Sequence, residues 1–213
     1  MSEDKERPLR ADAERNRRQI METAERMFAE RGSVATLNEI AHEAGVGVGT
    51  VYRRFPDLVS LMNALFAERF TTFLQLAETA AELAEPGEAM RHYLVEAARW
   101  RAGDPALDVI LAHADLEAAP TAGMREELGR RVDALVERAL AAGAVHEGFA
   151  SSDVYAYLYM IGAIADRTHD VAPDAWRRYV DVLLRGFGLE PATETQAPPA
   201  MTDAQILGTW PKP

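Results

Sequence analysis

The chain has 213 residues, enough for one large domain or a small one plus a medium one, and its 48% hydrophobic and 8% aromatic content excludes a disordered chain. It contains no cysteine, which excludes disulfide frameworks, thiolate metal sites and cysteine nucleophiles together and fits a reducing cytoplasm. The net charge of −11 argues against nucleic acid only until its distribution is read: residues 1–55 carry 10 basic and 10 acidic side chains, so the acidic excess lies downstream, screened over a Debye length of about 8 Å.

In chain order, residues 1–11 are charged, lack the apolar core of a signal peptide and read as a flexible arm. A first helix is predicted over 12–31, with Ile20, Ala24, Met27 and Phe28 on one face and Gly32 as its stop. Thr36 and Glu39 have the spacing of a capping box, so a second helix begins at Leu37, buries Leu37, Ile40, Ala41 and Ala44, and ends at Gly45. A third follows after a single turn, opening in Val46 through Thr50 and running to about Arg54. Val51 and Phe55 point inward together there, which leaves Thr50, Tyr52 and Arg53 outside. Pro56 breaks the chain, and a fourth helix takes Leu58, Leu61, Leu65 and Phe66 as far as Ala84.

Beyond Pro86-Gly87, helices are expected near 88–101, 107–118, 123–142, 152–167 and 174–186, divided by Gly and Pro. Strand signals are nearly absent, so the expected fold is all-α with about nine helices. The apolar run from Val154 to Ala165 is closed by Asp153 and Asp166 and is shorter than the roughly 18 to 20 residues a bilayer needs, so it reads as a buried helix and no membrane is implied. Residues 190–213 form a Pro/Ala-rich tail, in which Ile206, Leu207 and Trp210 are the residues able to dock. The implied domains are 12–57 and 58–189.

Two short helices joined by a glycine turn, the second exposing hydroxyl, aromatic and guanidinium groups, have the geometry of a helix-turn-helix. Thr36-Leu37-Asn38-Glu39-Ile40-Ala41, Ala44-Gly45-Val46 and Gly49 through Asp57 resemble the signature of the TetR (tetracycline repressor) family, over roughly Ile20 to Leu65. The resemblance implies an N-terminal three-helix DNA-binding domain and a C-terminal helical domain for dimerisation and ligand sensing. It implies a recognition helix from Gly47 to Arg54, with Val48, Gly49 and Thr50 near bases and Tyr52 and Arg54 on the backbone. The chemistry agrees: a threonine presents a hydroxyl and a methyl, a tyrosine hydroxyl reaches phosphate, and an arginine grips phosphate or guanine. Arg53 stands between these roles. Asn38 is a second-tier base reader, and Thr36 leaves helix N–H groups aimed at phosphate. Similar proteins carry Lys or Arg two residues after the proline, where this chain has Leu58. Arg15, Arg17 and Arg18 ahead of the motif are the candidates to replace that backbone contact.

Gly45-Val46-Gly47-Val48-Gly49 is not a phosphate-binding loop, because it follows a helix and ends in Thr50-Val51 rather than Lys-Ser or Lys-Thr. His42, His92, His113, His146 and His169 are scattered, with no i, i+4 pair to hold a metal, and no Gly-x-Ser-x-Gly elbow is present. Neither a cofactor nor an enzyme is implied. His92, Tyr93, Trp100, His113, Tyr155, Tyr159 and Met160 are candidates for an apolar or aromatic effector site, although each of the aromatics also suits a core. Val154, Leu158 and Ile161, with Tyr179, Leu183, Leu184 and Phe187, form stripes that suit either a core or, as the resemblance implies, a two-fold interface between the last two helices and their mates. The expected function is a homodimeric, effector-released repressor on a pseudo-palindromic operator. A helical small-molecule binder with weak or lost DNA binding is the alternative, supported by Leu58 and the acidic balance.

Overall fold

In the computed structural model, which describes residues 3–190 and 197–210, apolar periodicity and capping place helices close to where they are expected. In order these are α1 (Glu3–Arg31), α2 (Leu37–Glu43), α3 (Val48–Arg54), α4 (Leu58–Ala81) and α5 (Pro86–Ala102), then α6 (Leu107–His113), α7 (Ala119–Ala141), α8 (Ser151–Thr168), α9 (Ala175–Phe187) and α10 (Asp203–Gly208). No strand occurs among the described residues.

Several boundaries differ from the sequence reading: α4, expected as far as Ala84, ends at Ala81, and the others differ for local reasons. The helix expected from residue 12 begins at Glu3, so most of the expected arm is helical. Pro86 begins α5 instead of preceding it: proline is well suited to the first helical position, and the Glu85 carboxylate accepts the Glu88 N–H as the cap. Pro120 likewise lies in the first turn of α7, and α6 stops at His113, short of the expected residue 118. A tenth helix lies in the expected tail, started by a second capping box in which Gln205 N–H donates to Thr202 Oγ1. Its Ile206, Leu207 and Trp210 are exposed, so the helix is held instead by Gln205 donating to the Val171 carbonyl, with Gly208 fitting against Val171. Residues 191–196 and 211–213 of that tail lie outside the described residues.

The packing divides into two units. The first comprises Met1–Arg69 and Pro105–Ala122, so the front of α4 and all of α6, expected with the C-terminal domain, group with the helix-turn-helix. Ile20, Ala24 and Phe28 of α1, Ile40 of α2, Val51 of α3 and Leu61, Leu65 and Phe66 of α4 are fully buried in it. Polar ties fix its helices: Gln19 donates to the Ala44 carbonyl at 2.7 Å, Arg69 pairs with Glu25 at 2.7 Å, and Asn63 of α4 accepts the Asp115 N–H at 2.8 Å.

The second unit comprises Phe70–Asp104 and Gly123–Pro213. Here α8 packs against α5 and α9, burying Met90, Leu94, Ala97, Val132, Val154, Tyr157, Ile161 and Leu184. The buried Tyr157 hydroxyl donates to the Leu94 carbonyl at 3.1 Å, satisfying a polar group that would otherwise oppose burial. Arg101, at 2% exposure, is the largest buried side chain; it pairs with Asp166 at 2.9 Å and donates to the Asp104 carbonyl at 3.1 Å. Gly162 of α8 makes room for that guanidinium.

Candidate nucleic-acid interface

The local chemistry of α2 and α3 determines what faces outward. Thr36 Oγ1 accepts the Glu39 N–H at 3.2 Å while Glu39 Oε2 accepts the Thr36 N–H at 2.8 Å, so both halves of the capping box are made. Gly45 takes φ +65°, a left-handed turn that side chains with a Cβ resist, and the chain re-enters helix three residues later. Gly47 caps α3 in an extended conformation with no side-chain bond, which leaves the first N–H groups of α3 without a side-chain cap.

On α3, Val51 is wholly buried and Phe55 is 3% exposed, whereas Val48 and Tyr52 are 47% and 45% exposed. The outer face of this seven-residue helix thus carries open apolar area at Val48 and Tyr52. Gly47, Gly49, Arg53 and Arg54 are exposed with them, Thr50 is half-buried, and Thr36 and Asn38 are exposed on α2. All nine residues expected to meet DNA therefore lie at the surface of one unit. Arg53 Nη2 donates to Thr50 Oγ1 at 3.1 Å, so these two side chains act as a pair. Among the described residues, Tyr52 and Arg54 make no hydrogen bond or ion pair.

The arginines ahead of the motif are not equivalent. Arg17 stacks over the Phe55 ring at 5.6 Å, donates to Met21 Sδ and lies 3.9 Å from Glu68, so it braces the back of α3. Arg15 is exposed beside Asp12 at 3.0 Å, and Arg18 is exposed. At the start of α4 the Asp57 carboxylate accepts both the N–H and the hydroxyl of Ser60 at 2.7 Å, while Leu58 is half-buried.

Hydrogen bonds from Thr36, with Arg31 adding to them, hold the Glu39 carboxyl below its ordinary 4.5, and those from Ser60 hold Asp57 below 3.8. Because the folded values are depressed, this stabilisation is present above the ordinary carboxylate range and is lost as pH falls through the lower folded values. Loss of the cap in Thr36→Ala should cost about 1 kcal/mol at neutral pH, and the part of that difference carried by the Glu39 carboxylate should be lost on acidification, measured by thermal melts across pH 2 to 7.

The remaining candidates are spread through the fold. Tyr93 is 1% exposed, His92 and Trp100 are half-buried, and Trp100 meets Phe73 edge to face at 4.9 Å. His113 is exposed in the first unit, its Nδ1 2.8 Å from the Val109 carbonyl oxygen. Tyr155, Tyr159 and Met160 are exposed at 38%, 63% and 43%, whereas Val154, Ile161 and Leu184 are wholly buried within the chain. Leu158, Tyr179, Leu183 and Phe187 are half-buried. Sequence reasoning missed Ala156 and Val182, which are exposed on α8 and α9, and the pairing of buried Arg101 with the exposed Asp166. The apolar run of α8 carries no polar stripe to reveal which face turns inward. No cluster of potential metal ligands occurs among the described residues, and none of their helices is long and apolar enough to cross a membrane.

Comparison with known proteins agrees with this geometry. Residues 20–65 match the family model described as bacterial regulatory proteins, tetR family, and residues 85–189 match one described as transcriptional regulator SbtR-like, C-terminal domain. A curated HTH-type transcriptional regulator of Staphylococcus aureus is 39% identical over 67 residues, which is 31% of this chain and 36% of that protein, so the chain matches about a third of that relative's length. Among solved structures, a TetR transcription regulatory protein from Mycobacterium vanbaalenii is 31% identical, with 84% of this chain and 99% of that chain covered and a TM-score of 0.55. A TetR transcriptional regulator from Streptomyces coelicolor is 30% identical, with 83% and 99% covered and a TM-score of 0.52. With an open α3 on a sealed three-helix base, and near-complete coverage of such relatives, this chain belongs to the TetR family of bacterial transcriptional regulators.

Proposed function

We propose that the protein is a repressor that binds a pseudo-palindromic operator as a homodimer and releases it when a small effector binds the second unit. The observation that carries this reading is α3: Val48 and Tyr52 stand nearly half open while Val51 and Phe55 are sealed behind them. Two such helices, about 34 to 36 Å apart, would enter successive major grooves. An effector then acts only through its differential affinity for the binding and non-binding conformers. Selection of bound sites from random DNA, followed by gel shifts at rising salt, tests the reading. Phosphate engagement gives a steep loss of affinity with salt, and a flat response would favour a helical ligand binder without an operator.

Self-association is the second part of the proposal. Val154, Ile161 and Leu184 have no surface to present to a second copy. The face that remains open on α8 is Ala156, Tyr159, Met160 and Ala163, with Val182 open on α9. Small residues beside a tyrosine and a methionine allow close helix approach and apolar burial together, which suits a two-fold contact. Tyr159→Asp or Val182→Asp should give folded monomers by sedimentation, whereas Leu184→Asp should unfold the second unit. A folded dimer carrying both surface charges would place the interface elsewhere.

A further inference from the structure

The six-residue helix α10 buries none of its own residues, although a helix this short is marginal in water unless one of its faces is packed. It is held to its own chain by a hydrogen bond from Gln205 to the Val171 carbonyl at 3.2 Å and by Gly208, pressed against the same Val171. Neither contact covers a large side chain. The large apolar groups share the opposite face, at spacings of three and four residues. Ile206 is 43% exposed, and Leu207 and Trp210, at 64% and 65%, are the two most exposed large apolar side chains among the described residues.

The segment leading into α10 lies against the open part of the second unit. Arg178 of α9 donates to the Pro198 carbonyl at 3.4 Å and stands one helical turn from the exposed Val182, on the same face of α9. Val171, which seats α10, follows the end of α8 by three residues. The open residues Ala156, Tyr159, Met160, Ala163 and Val182 present roughly 400 Å², about half of the roughly 800 Å² per partner that a stable interface buries. Ile206, Leu207 and Trp210 add roughly 350 Å², which closes most of that gap. Charge selects the occupant. Copies of a chain with net charge −11 repel one another except where their surfaces carry little charge, and Asp203 is the single charged residue from Ala197 to Trp210. A basic partner would find one carboxylate here, whereas a second copy finds an apolar surface with little to repel it.

We infer that α10 is an arm for a second copy of this chain: Ile206, Leu207 and Trp210 seat against the other protomer and widen the two-fold contact made through α8 and α9. The inference rests on the self-association reading above and adds the segment that completes its buried area. Seating the arm also supplies the packing that α10 does not find in its own chain.

The test is sedimentation of the full chain across a range of protein concentrations, with Leu207→Asp and Trp210→Asp as arm variants. Each is expected to weaken self-association about a hundredfold. Both side chains are exposed in the single chain, so the variants should fold, with circular dichroism like the parent's. The emission of Trp210, taken as the difference between the parent and Trp210→Phe, should move to shorter wavelength as rising concentration drives assembly. Parent-like self-association of both arm variants, beside a monomeric Tyr159→Asp, would leave the α8 and α9 contact standing and remove α10 from it. A parent that stays monomeric at every concentration overturns both readings. A Trp210 shift that appears in dilute protein on adding phosphatidylcholine vesicles, and not on self-association, would assign the arm to a lipid surface and overturn the inference.

Discussion

Replacing Gly162 with alanine should destabilise the protein by about 3 kcal/mol, an unusually large effect for adding one methyl group to a helix. On propensity alone the change would stabilise α8 by about 1 kcal/mol. The opposing effect is steric and electrostatic: a Cβ at this position would stand 2.3 Å from Arg101 Cζ and Nη2 and 2.4 Å from Nε. The guanidinium cannot simply swing aside, because at 2% exposure it is enclosed and is held by Asp166 and the Asp104 carbonyl. Displacing it leaves a buried charge without its counter-ion, which costs about 3 to 5 kcal/mol when fully buried. The lower end applies here, since the Asp166 side chain is 32% exposed and stays solvated. Arg101→Met removes both the charge and the crowded group, so Gly162→Ala should be nearly neutral in that background. Urea denaturation of the four proteins in this cycle measures the coupling. A cost of Gly162→Ala that persists undiminished beside Met would show that the guanidinium is not the obstacle.

Operator affinity should fall about 5- to 150-fold when Tyr52 or Arg54 is replaced by alanine, with the same proportional loss on every sequence bound. Both side chains are exposed on α3 without partners among the described residues, so truncation removes the contact without disturbing the unit, and melting temperatures should hold. Loss of the Arg54 charge should also reduce the slope of log affinity against log salt by about 0.9. Thr50→Ala should behave differently, costing about 1 to 3 kcal/mol chiefly at particular base pairs. Because Arg53 donates to Thr50 Oγ1, Arg53→Ala should shift base preference at the same positions, which makes the pair a single unit of readout. Unchanged affinity in the Tyr52, Arg54 and Thr50 variants would remove α3 as the reader.

The helix-turn-helix was legible because its signals are local. The capping box at Thr36 and Glu39 and the left-handed turn at Gly45 are decided within a few residues, and Val51 with Phe55 is one helical turn. The same local logic, applied to Thr202 and Gln205, also specifies α10, which the proline-rich composition around it concealed. Position on the surface was far less legible in α8. Val154 and Tyr159 look alike in a run with no polar stripe, yet one is wholly buried and the other 63% exposed. A helix that is apolar all round carries no phase in its sequence, so the phase is chosen by what packs on it, here α5 and α9.

From the sequence by itself came the all-α class, the start and stop of most helices and the outward face of Thr50, Tyr52 and Arg53, because capping, glycine conformation and 3.6-residue periodicity are properties of short segments; Val48, Gly49 and Arg54 came from the resemblance to the family signature. Only the tertiary structure decided which face of α8 is core, that α6 groups with the first unit, and that Arg101 reaches Asp166 across 65 residues beside a glycine. Those outcomes depend on which side chains meet from distant parts of the chain. Long-range encounters of this kind are set by the packing of whole helices and leave no periodic trace in the residues that take part.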